Sequence, residues 1–350
     1  MPIEVVSVIG ARPQFVKAAV VSRALAARGI AEAVVHTGQH YDEAMSGRFL
    51  SQLGIDVAAN LAVGSGGHAE QTARMMTGFA DYLAGRPRAP DIVVVYGDTN
   101  STIAAGLVVS KLGIPLAHVE AGLRSYNRAM PEEVNRVVVD HLSDILFCSS
   151  PVGIENLKRE GVETNVSDVG DVMLDAFQLF SKTADRSGVP DEPFVLATIH
   201  RPANTDGPAR LQGILNAFGT IGASVVWPVH PRNRHAIGQL DVPANLALIE
   251  PVGYLEMLAL LAACVSVATD SGGLQKEAHW AGKPCLTIRS ETEWTETLDG
   301  GWNVLADPSR DDFRALASRT PKGSWRLLYG DGRASQRIAD ALAAFVHARR

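Results

Sequence analysis

Four carboxylates, Asp98, Glu120, Glu132 and Glu133, stand where they could trade protons with a bound molecule, and one glycine-rich turn, Asp270-Ser271-Gly272-Gly273, stands where it could hold an anion. Asp98 closely follows the apolar run Ile92–Tyr96, and Glu120 directly follows Pro115–Val119. A carboxylate in such a place can act as general acid or base, but it can equally be a turn or cap residue. Pro131-Glu132-Glu133 is also an ordinary helix start, with proline in the first turn and acids near the positive end of the dipole. The glycine turn follows Val265–Thr269 and opens a helix, so its amides suit a phosphate; its structural alternative is a tight turn capped by Asp270 or Ser271. It lacks the lysine of a P-loop and the spacing of a dinucleotide fingerprint, so neither ATP nor NAD is indicated. Glu277, one turn further on, is within reach of a ribose diol if phosphates sit at the glycines. Arg12 and Lys17 flank the first helical turn, and Arg136, His200, Arg201, His230, Arg232 and Arg234 lie in or near loops. A pyrophosphate needs several such partners once it leaves water, although His200 alone reads as readily as a core histidine. His118-Val119-Glu120 lacks the spacing and supporting ligands of a zinc site, and no G-x-S-x-G elbow is present.

The elements that must position these residues are short β-branched runs alternating with helical patterns, the signature of parallel α/β sheets. Runs at Val5–Ile9, Ile92–Tyr96 and Pro115–Val119 end in chemistry-bearing loops in the first half; runs at Phe194–Ile199, Val225–Val229 and Val265–Thr269 do so in the second. Ligands of open parallel sheets bind beyond the carboxyl ends of strands, which points to one site fed by two sheets. The expected fold is α/β, two Rossmann-like doubly wound domains facing across a cleft. The first half reads as strands at 3–9, 33–37, 91–96, 115–119, 144–148 and 166–169, with helices at 13–29, 42–53, 68–84, 100–112, 131–142 and 151–160. The second reads as strands at 194–199, 224–229, 246–249, 264–269 and 284–288, with helices at 208–221, 232–239, 254–262 and 274–281. Residues 1–180 form the expected N-terminal domain carrying the acid–base residues, the polar stretch 181–193 a linker, and 194–330 the C-terminal nucleotide-binding domain. A helix at about 333–349, with Ile338, Leu342, Phe345 and Val346 on one side, is placed to pack back on the first domain.

A length of 350 residues suits two domains. The net charge of −6 argues against a broad nucleic-acid surface but not against a phosphate in a locally positive site. Cys148, Cys264 and Cys285 lack metal or disulfide spacing and read as buried thiols of a cytosolic protein. No signal peptide is apparent, and the longest apolar stretch, Met257–Ala268, is too short for a bilayer.

Taken as a set, the stretches GARPQFVK (10–17), TGQHYD (37–42), YGDTNST (96–102), HVEAGLRS (118–125), PEEVNR (131–136), GDVMLDA (170–176), HR (200–201), PVHPR (228–232), EPVGYLEML (250–258) and TDSGGLQKEA (269–278) resemble the non-hydrolysing UDP-N-acetylglucosamine 2-epimerases, in order from about residue 3 to 305. The resemblance implies the two-domain architecture of the GT-B glycosyltransferases and reversible inversion at C2 of UDP-N-acetylglucosamine, giving UDP-N-acetylmannosamine. The C2 proton has no neighbouring carbonyl to acidify it, so the family's route is thought to eliminate UDP, leaving a 2-acetamidoglucal, and to add it back after protonation on the other face. Neither metal nor nicotinamide is implied. Carried over position by position, Asp98, Glu120 and Glu132 become the acid–base candidates and His200 assists the leaving diphosphate. Arg12, Lys17 and Arg136 hold diphosphate or sugar. Ser271, Gly272 and Gly273 hold phosphates, with His230, Arg232 and Asp270 beside them, Glu277 on the ribose and Tyr254 near the uracil. Relatives suggest a homodimer and a part in surface-polysaccharide precursors, with no nucleic-acid or membrane partner.

The chain departs from the family pattern in two places. No Glu closely follows the His200-Arg201 pair, and Trp294 stands where relatives acting on UDP-N-acetylglucosamine carry an Arg in T-E-R-P-E. With Gln14 and Lys276, this looks closer to the branch acting on UDP-2,3-diacetamido-2,3-dideoxyglucuronate. Three other readings stay open: a two-domain glycosyltransferase, which needs one base rather than a set of carboxylates; a UDP-sugar sensor without turnover; and a hydrolysing epimerase.

Overall fold

The structure, a computed structural model, describes residues 2–39, 43–184, 186–229 and 231–350, and among these all side chains but those of 43–46, 48, 231 and 232. It divides into two compact units, one comprising Met1–Ala176 with Tyr329–Arg350, the other Phe177–Leu328. The domain limits read from the sequence, 180 and 330, lie within a few residues of these divisions, and the stretch 181–193 falls inside the second unit.

The first unit holds strands β1 (Glu4–Ile9), β2 (Ala31–His36), β3 (Val57–Asn60), β4 (Ile92–Tyr96), β5 (Leu116–Ala121), β6 (Ile145–Cys148) and β7 (Val166–Asp168). They form a parallel sheet in the order β3-β2-β1-β4-β5-β6-β7. The second unit holds β8 (Phe194–Thr198), β9 (Ser224–Pro228), β10 (Leu246–Ile249), β11 (Ser266–Thr269), β12 (Cys285–Thr287) and β13 (Asn303–Leu305), parallel in the order β10-β9-β8-β11-β12-β13. Central strands such as Ile92–Tyr96 are apolar throughout because helices cover both faces. Val6, Val8, Val93 and Val95 meet Phe79 and Val109 in the first core, while Phe218, Trp227 and Phe313 build the second.

Each sheet reverses its winding once, between β1 and β4 in the first unit and between β8 and β11 in the second. At such a reversal neighbouring loops leave in opposite directions and open a crevice. The loops after β1 and β4 carry Arg12 and Asp98; those after β8 and β11 carry His200 and the Asp270–Gly273 turn.

Several elements differ from the sequence reading. Glu120 lies inside β5, not after it. The short edge strand β3, the helix Val172–Phe180, the 3-10 helix Thr295–Gly301, β13 and the helix Phe313–Ala317 were absent from that reading. β3 is Val-Ala-Ala-Asn, too weakly β-branched to announce a strand.

The helix Ala334–Arg349 packs on the helix Arg12–Ala27, burying Ile338, Leu342 and Val346. Its first amides are held by Asp175, whose carboxylate accepts from Ala334 N (3.1 Å), Ser335 N (2.7 Å) and Ser335 Oγ (2.6 Å). Removing a side chain that caps a helix and satisfies buried donors typically costs about 1–3 kcal/mol. Asp175→Ala is therefore expected to lower the urea midpoint by that equivalent without altering the unfolding slope.

Candidate active site

The first unit gathers its charged residues at the ends of β4 and β5. Lys17, on the helix Arg12–Ala27, pairs with Glu120 of β5, and both side chains are nearly buried. Asp98, just past β4, pairs with Arg136 (2.6 Å) on the helix Pro131–Leu142. Gly97 joins the two pairs. Its φ is +61°, and a Cβ there would stand 3.2 Å from Glu120 Oε2 and 3.4 Å from Lys17 Nζ. The charges of Glu120 and Lys17 also act on Asp98, so the two pairs form one electrostatic cluster.

Burial pushes the Asp98 carboxyl above its ordinary range, and the charges of Glu120 and Glu132 add to this, against the opposing pull of Arg136 and Lys17. A carboxyl raised in this way is better suited to take up and return a proton near neutrality. Glu132 is exposed on the first turn of its helix, close enough to Asp98 to act on it electrostatically. Glu133, its neighbour, faces inward and serves the backbone. It accepts from Ser125 N (2.8 Å), Ser125 Oγ (2.9 Å) and Tyr126 N (2.8 Å), and it pairs with Arg136 (3.0 Å). Although burial works against ionisation, these partners hold the Glu133 carboxyl below its usual range. Arg12 lies over the ring of Phe49, 5.6 Å from its centroid.

Gln14 proves to be a structural tie between loops. Its Oε1 accepts from Gly10 N (2.7 Å) and Ala11 N (3.0 Å), while its Nε2 donates to Tyr96 O (2.7 Å) and Thr102 Oγ1 (3.0 Å). One buried amide thus locks the turn after β1 to the turn after β4, on either side of the winding reversal. Nothing in its sequence neighbourhood distinguishes such a tie from a ligand contact.

In the second unit, the helix Gly272–Trp280 starts directly after β11 and the Asp270-Ser271 pair. Ser271 Oγ caps it, accepting from Leu274 N at 3.4 Å. The amides of the glycine turn make an anion-binding helix start. Asp270 is fully buried and is engaged in fixing the neighbouring loop. Its carboxylate accepts from His200 N (3.0 Å), Arg201 N (2.9 Å) and Asn204 Nδ2 (3.0 Å). The His200 ring, about half exposed, has Nδ1 3.2 Å from Asp270 Oδ1. Glu277 is buried and accepts a hydrogen bond from Tyr254 OH at 3.0 Å, so these two positions share one corner of the unit. His230 lies outside the described residues, as do the side chain of Arg232 and residues 40–42 of the TGQHYD stretch.

Trp294 closes the other side of the turn. The buried ammonium of Lys276 stands 3.7 Å from the centre of its ring. Glu293 pairs with Arg289 at 2.8 Å, and a Cβ on Gly272 would meet Glu293 Oε1 at 2.6 Å. Burial opposes ionisation of Glu293, and the Arg289 charge overcomes it, holding the carboxyl below its usual range. Trp294 is one of the departures from the family pattern and Lys276 one of the likenesses to the diacetamido-glucuronate branch, whereas nothing in the sequence patterning announces the Arg289–Glu293 pair. Among the described residues no group of three His, Cys, Asp or Glu could hold a metal ion, and no helix is long and apolar enough to cross a membrane.

Comparison with known proteins fits this arrangement. The profile of the UDP-N-acetylglucosamine 2-epimerase family matches residues 23–343. The UDP-2,3-diacetamido-2,3-dideoxy-D-glucuronate 2-epimerase of Pseudomonas aeruginosa is 46% identical over 97% of this chain and 99% of its own. The UDP-N-acetylglucosamine 2-epimerase of Methanocaldococcus jannaschii is 37% identical over 96% of this chain and 97% of its own. A crystal structure of the M. jannaschii UDP-GlcNAc 2-epimerase in complex with UDP-GlcNAc and UDP superposes with a TM-score of 0.88 at 35% identity, covering 98% of this chain and all (100%) of that one. The chain belongs to the UDP-N-acetylglucosamine 2-epimerase family and is an enzyme of the epimerase class.

Proposed function

We propose that this epimerase inverts C2 of a UDP-linked 2-acetamido sugar by eliminating UDP and adding it back. The observation that carries the reading is the pairing of two carboxylates, Asp98 and Glu120, with two cations, Arg136 and Lys17, around Gly97. In the forward step a carboxylate takes the C2 proton while the C1–O bond to diphosphate breaks and a C1–C2 double bond forms. In the return step a proton is delivered to the opposite face of C2 as diphosphate re-attacks C1. Inversion needs proton transfer on both faces, which is why a set of carboxylates serves better than one. The amides of the Gly272-Gly273 turn and the His200 ring stabilise the departing diphosphate, and Glu277 takes the ribose. Lys17 and Arg136 balance the negative charge that accumulates when both acids are ionised.

The sugar favoured here is UDP-2,3-diacetamido-2,3-dideoxyglucuronate. The 46% identity to the P. aeruginosa enzyme and the tryptophan at position 294 both support it. UDP-N-acetylglucosamine, with UDP-N-acetylmannosamine as product, is the second reading, supported by the family profile and the M. jannaschii relative. A cytoplasmic homodimer supplying surface-polysaccharide precursors goes with either sugar.

The test is incubation of the purified chain with each UDP-sugar in D2O, followed by NMR. Deuterium should appear at C2 of both epimers without net release of UDP. Sugar transfer or hydrolysis without C2 labelling would point to the glycosyltransferase or hydrolase readings and defeat this one.

A further inference from the structure

Glu120 reaches its place through an unusual backbone. Its φ is +74°, in the left-handed region that residues with a side chain seldom occupy, and the pairing of β5 with β6 slips at that point, between Val119 and Ala121. A bulge of this kind re-aims one side chain against the alternation of the strand. Such a conformation persists only where the surroundings over-determine it, so the groups that hold it matter.

One buried carboxylate grips the chain on both sides of the bulge. Asp140 Oδ1 lies 2.7 Å from His118 Nδ1, and Asp140 Oδ2 accepts from Gly122 N at 3.1 Å and Arg124 Nη1 at 2.7 Å. His118 continues the chain of contacts, with Nε2 2.8 Å from the carbonyl oxygen of Gly97, the residue between Tyr96 and Asp98. The Gly97 carbonyl only accepts, so His118 Nε2 donates to it, which leaves Nδ1 facing the Asp140 carboxylate. Both side chains are 0% exposed, so neither touches a substrate. Arg124 completes its fork on Glu160, at 2.7 and 2.8 Å, anchoring the assembly to the helix Pro151–Arg159 and the residue after it.

We propose that Asp140 is a positioning residue of the epimerisation: by gripping His118, Gly122 and Arg124 it fixes the bulge that holds Glu120 beside Lys17 and Gly97. The proposal rests on the functional reading given above for Glu120. It assigns a purpose to the buried His118.

The full chain carrying Asp140→Ala, His118→Phe or Asp140→Asn is compared with wild type on whichever of the two UDP-sugars wild type turns over, with UDP affinity measured by calorimetry. Asparagine can donate to His118 Nδ1 and still accept from Gly122 and Arg124, so the geometry survives without the charge; its kcat should stay within about tenfold of wild type. Asp140→Ala and His118→Phe release the bulge. A misplacement of about 1 Å costs roughly 100-fold in rate, so kcat should fall by about that factor while KM and the UDP Kd stay within about threefold. Folded Ala or Phe variants with kcat near wild type, a loss confined to KM, or an Asn variant as poor as the others would overturn the proposal. If Asp140→Ala does not fold, His118→Phe against Asp140→Asn decides. Wild type inert toward both sugars would instead remove the functional reading itself, and the proposal with it.

Discussion

Asp98→Asn should lower the rate of deuterium exchange at C2 by about 1,000-fold, near the upper part of the range for loss of a general acid–base group. That factor corresponds to about 4 kcal/mol of activation free energy. The substitution keeps the size of the side chain and its hydrogen-bonding contact with Arg136, so the loss reports proton transfer and not collapse of the site. UDP affinity, read by calorimetry, should change by less than about threefold, under 1 kcal/mol, because the groups proposed to hold UDP, the glycine turn and Glu277, belong to the other compact unit. The pH profile offers an independent check. Burial and the neighbouring carboxylates raise the Asp98 carboxyl above its ordinary range. If Asp98 is the base in its ionised form, kcat/KM should fall on the acid side with an apparent pKa above that of a free aspartate, and this limb should vanish in Asp98→Asn. A variant that loses UDP binding in step with exchange would make Asp98 a structural residue.

Gly122→Ala should produce a large loss of stability from one added methyl group. Gly122 has φ +78°, and an added Cβ would lie 2.3 Å from Gly153 O, 2.7 Å from Gly153 C and 2.8 Å from Gly153 Cα. All three obstacles are backbone, so no side chain can swing aside. The position is also held from two other directions: its amide donates to Asp140 and its carbonyl accepts from Asn156 Nδ2 at 3.0 Å. Left-handed strain at a non-glycine residue costs about 1–3 kcal/mol, and overpacking a filled site another 1–3 kcal/mol. A combined loss of roughly 2–6 kcal/mol is a large part of the 5–15 kcal/mol that holds a typical domain folded. Urea unfolding of the purified variant measures it. A midpoint shift worth less than about 1 kcal/mol would mean that the start of the helix Pro151–Arg159 yields freely.

The parallel sheets and the loops at their carboxyl ends were legible in the sequence because long apolar runs such as Ile92–Tyr96 and Phe194–Ile199 need burial on both faces. Their abrupt ends at Gly97-Asp98 and His200-Arg201 then place the charged residues by rule. The placement of Lys17, Asp98, Glu120 and Arg136 in one cluster follows from strand order, which the resemblance to a known family implied and local patterning did not specify. Conformation was harder to read. Nothing in His-Val-Glu-Ala-Gly announces that Glu120 is left-handed, because the cause, Asp140, lies on a helix twenty residues further on. Asp270 and Gln14 carry the same lesson in reverse. Each occupies a ligand-like position, yet Asp270 is engaged with the distant amides of His200 and Arg201, and Gln14 with the distant carbonyl of Tyr96. A polar side chain's partner depends on tertiary structure, and spacing along the chain does not report it.

The order in which the two units are encoded also bears on how the polypeptide is made. All the strands β8–β13 lie within the continuous segment Phe177–Leu328, whereas the first unit needs Tyr329–Arg350 to be whole. On the ribosome, the segment ahead of Phe177 therefore waits for Tyr329–Arg350, with one side of the Arg12–Ala27 helix bare until Ile338, Leu342 and Val346 emerge to cover it. The nascent chain can finish its interior segment before it finishes its beginning, so a message cut short near codon 328 would leave the leading half incomplete and the trailing half entire.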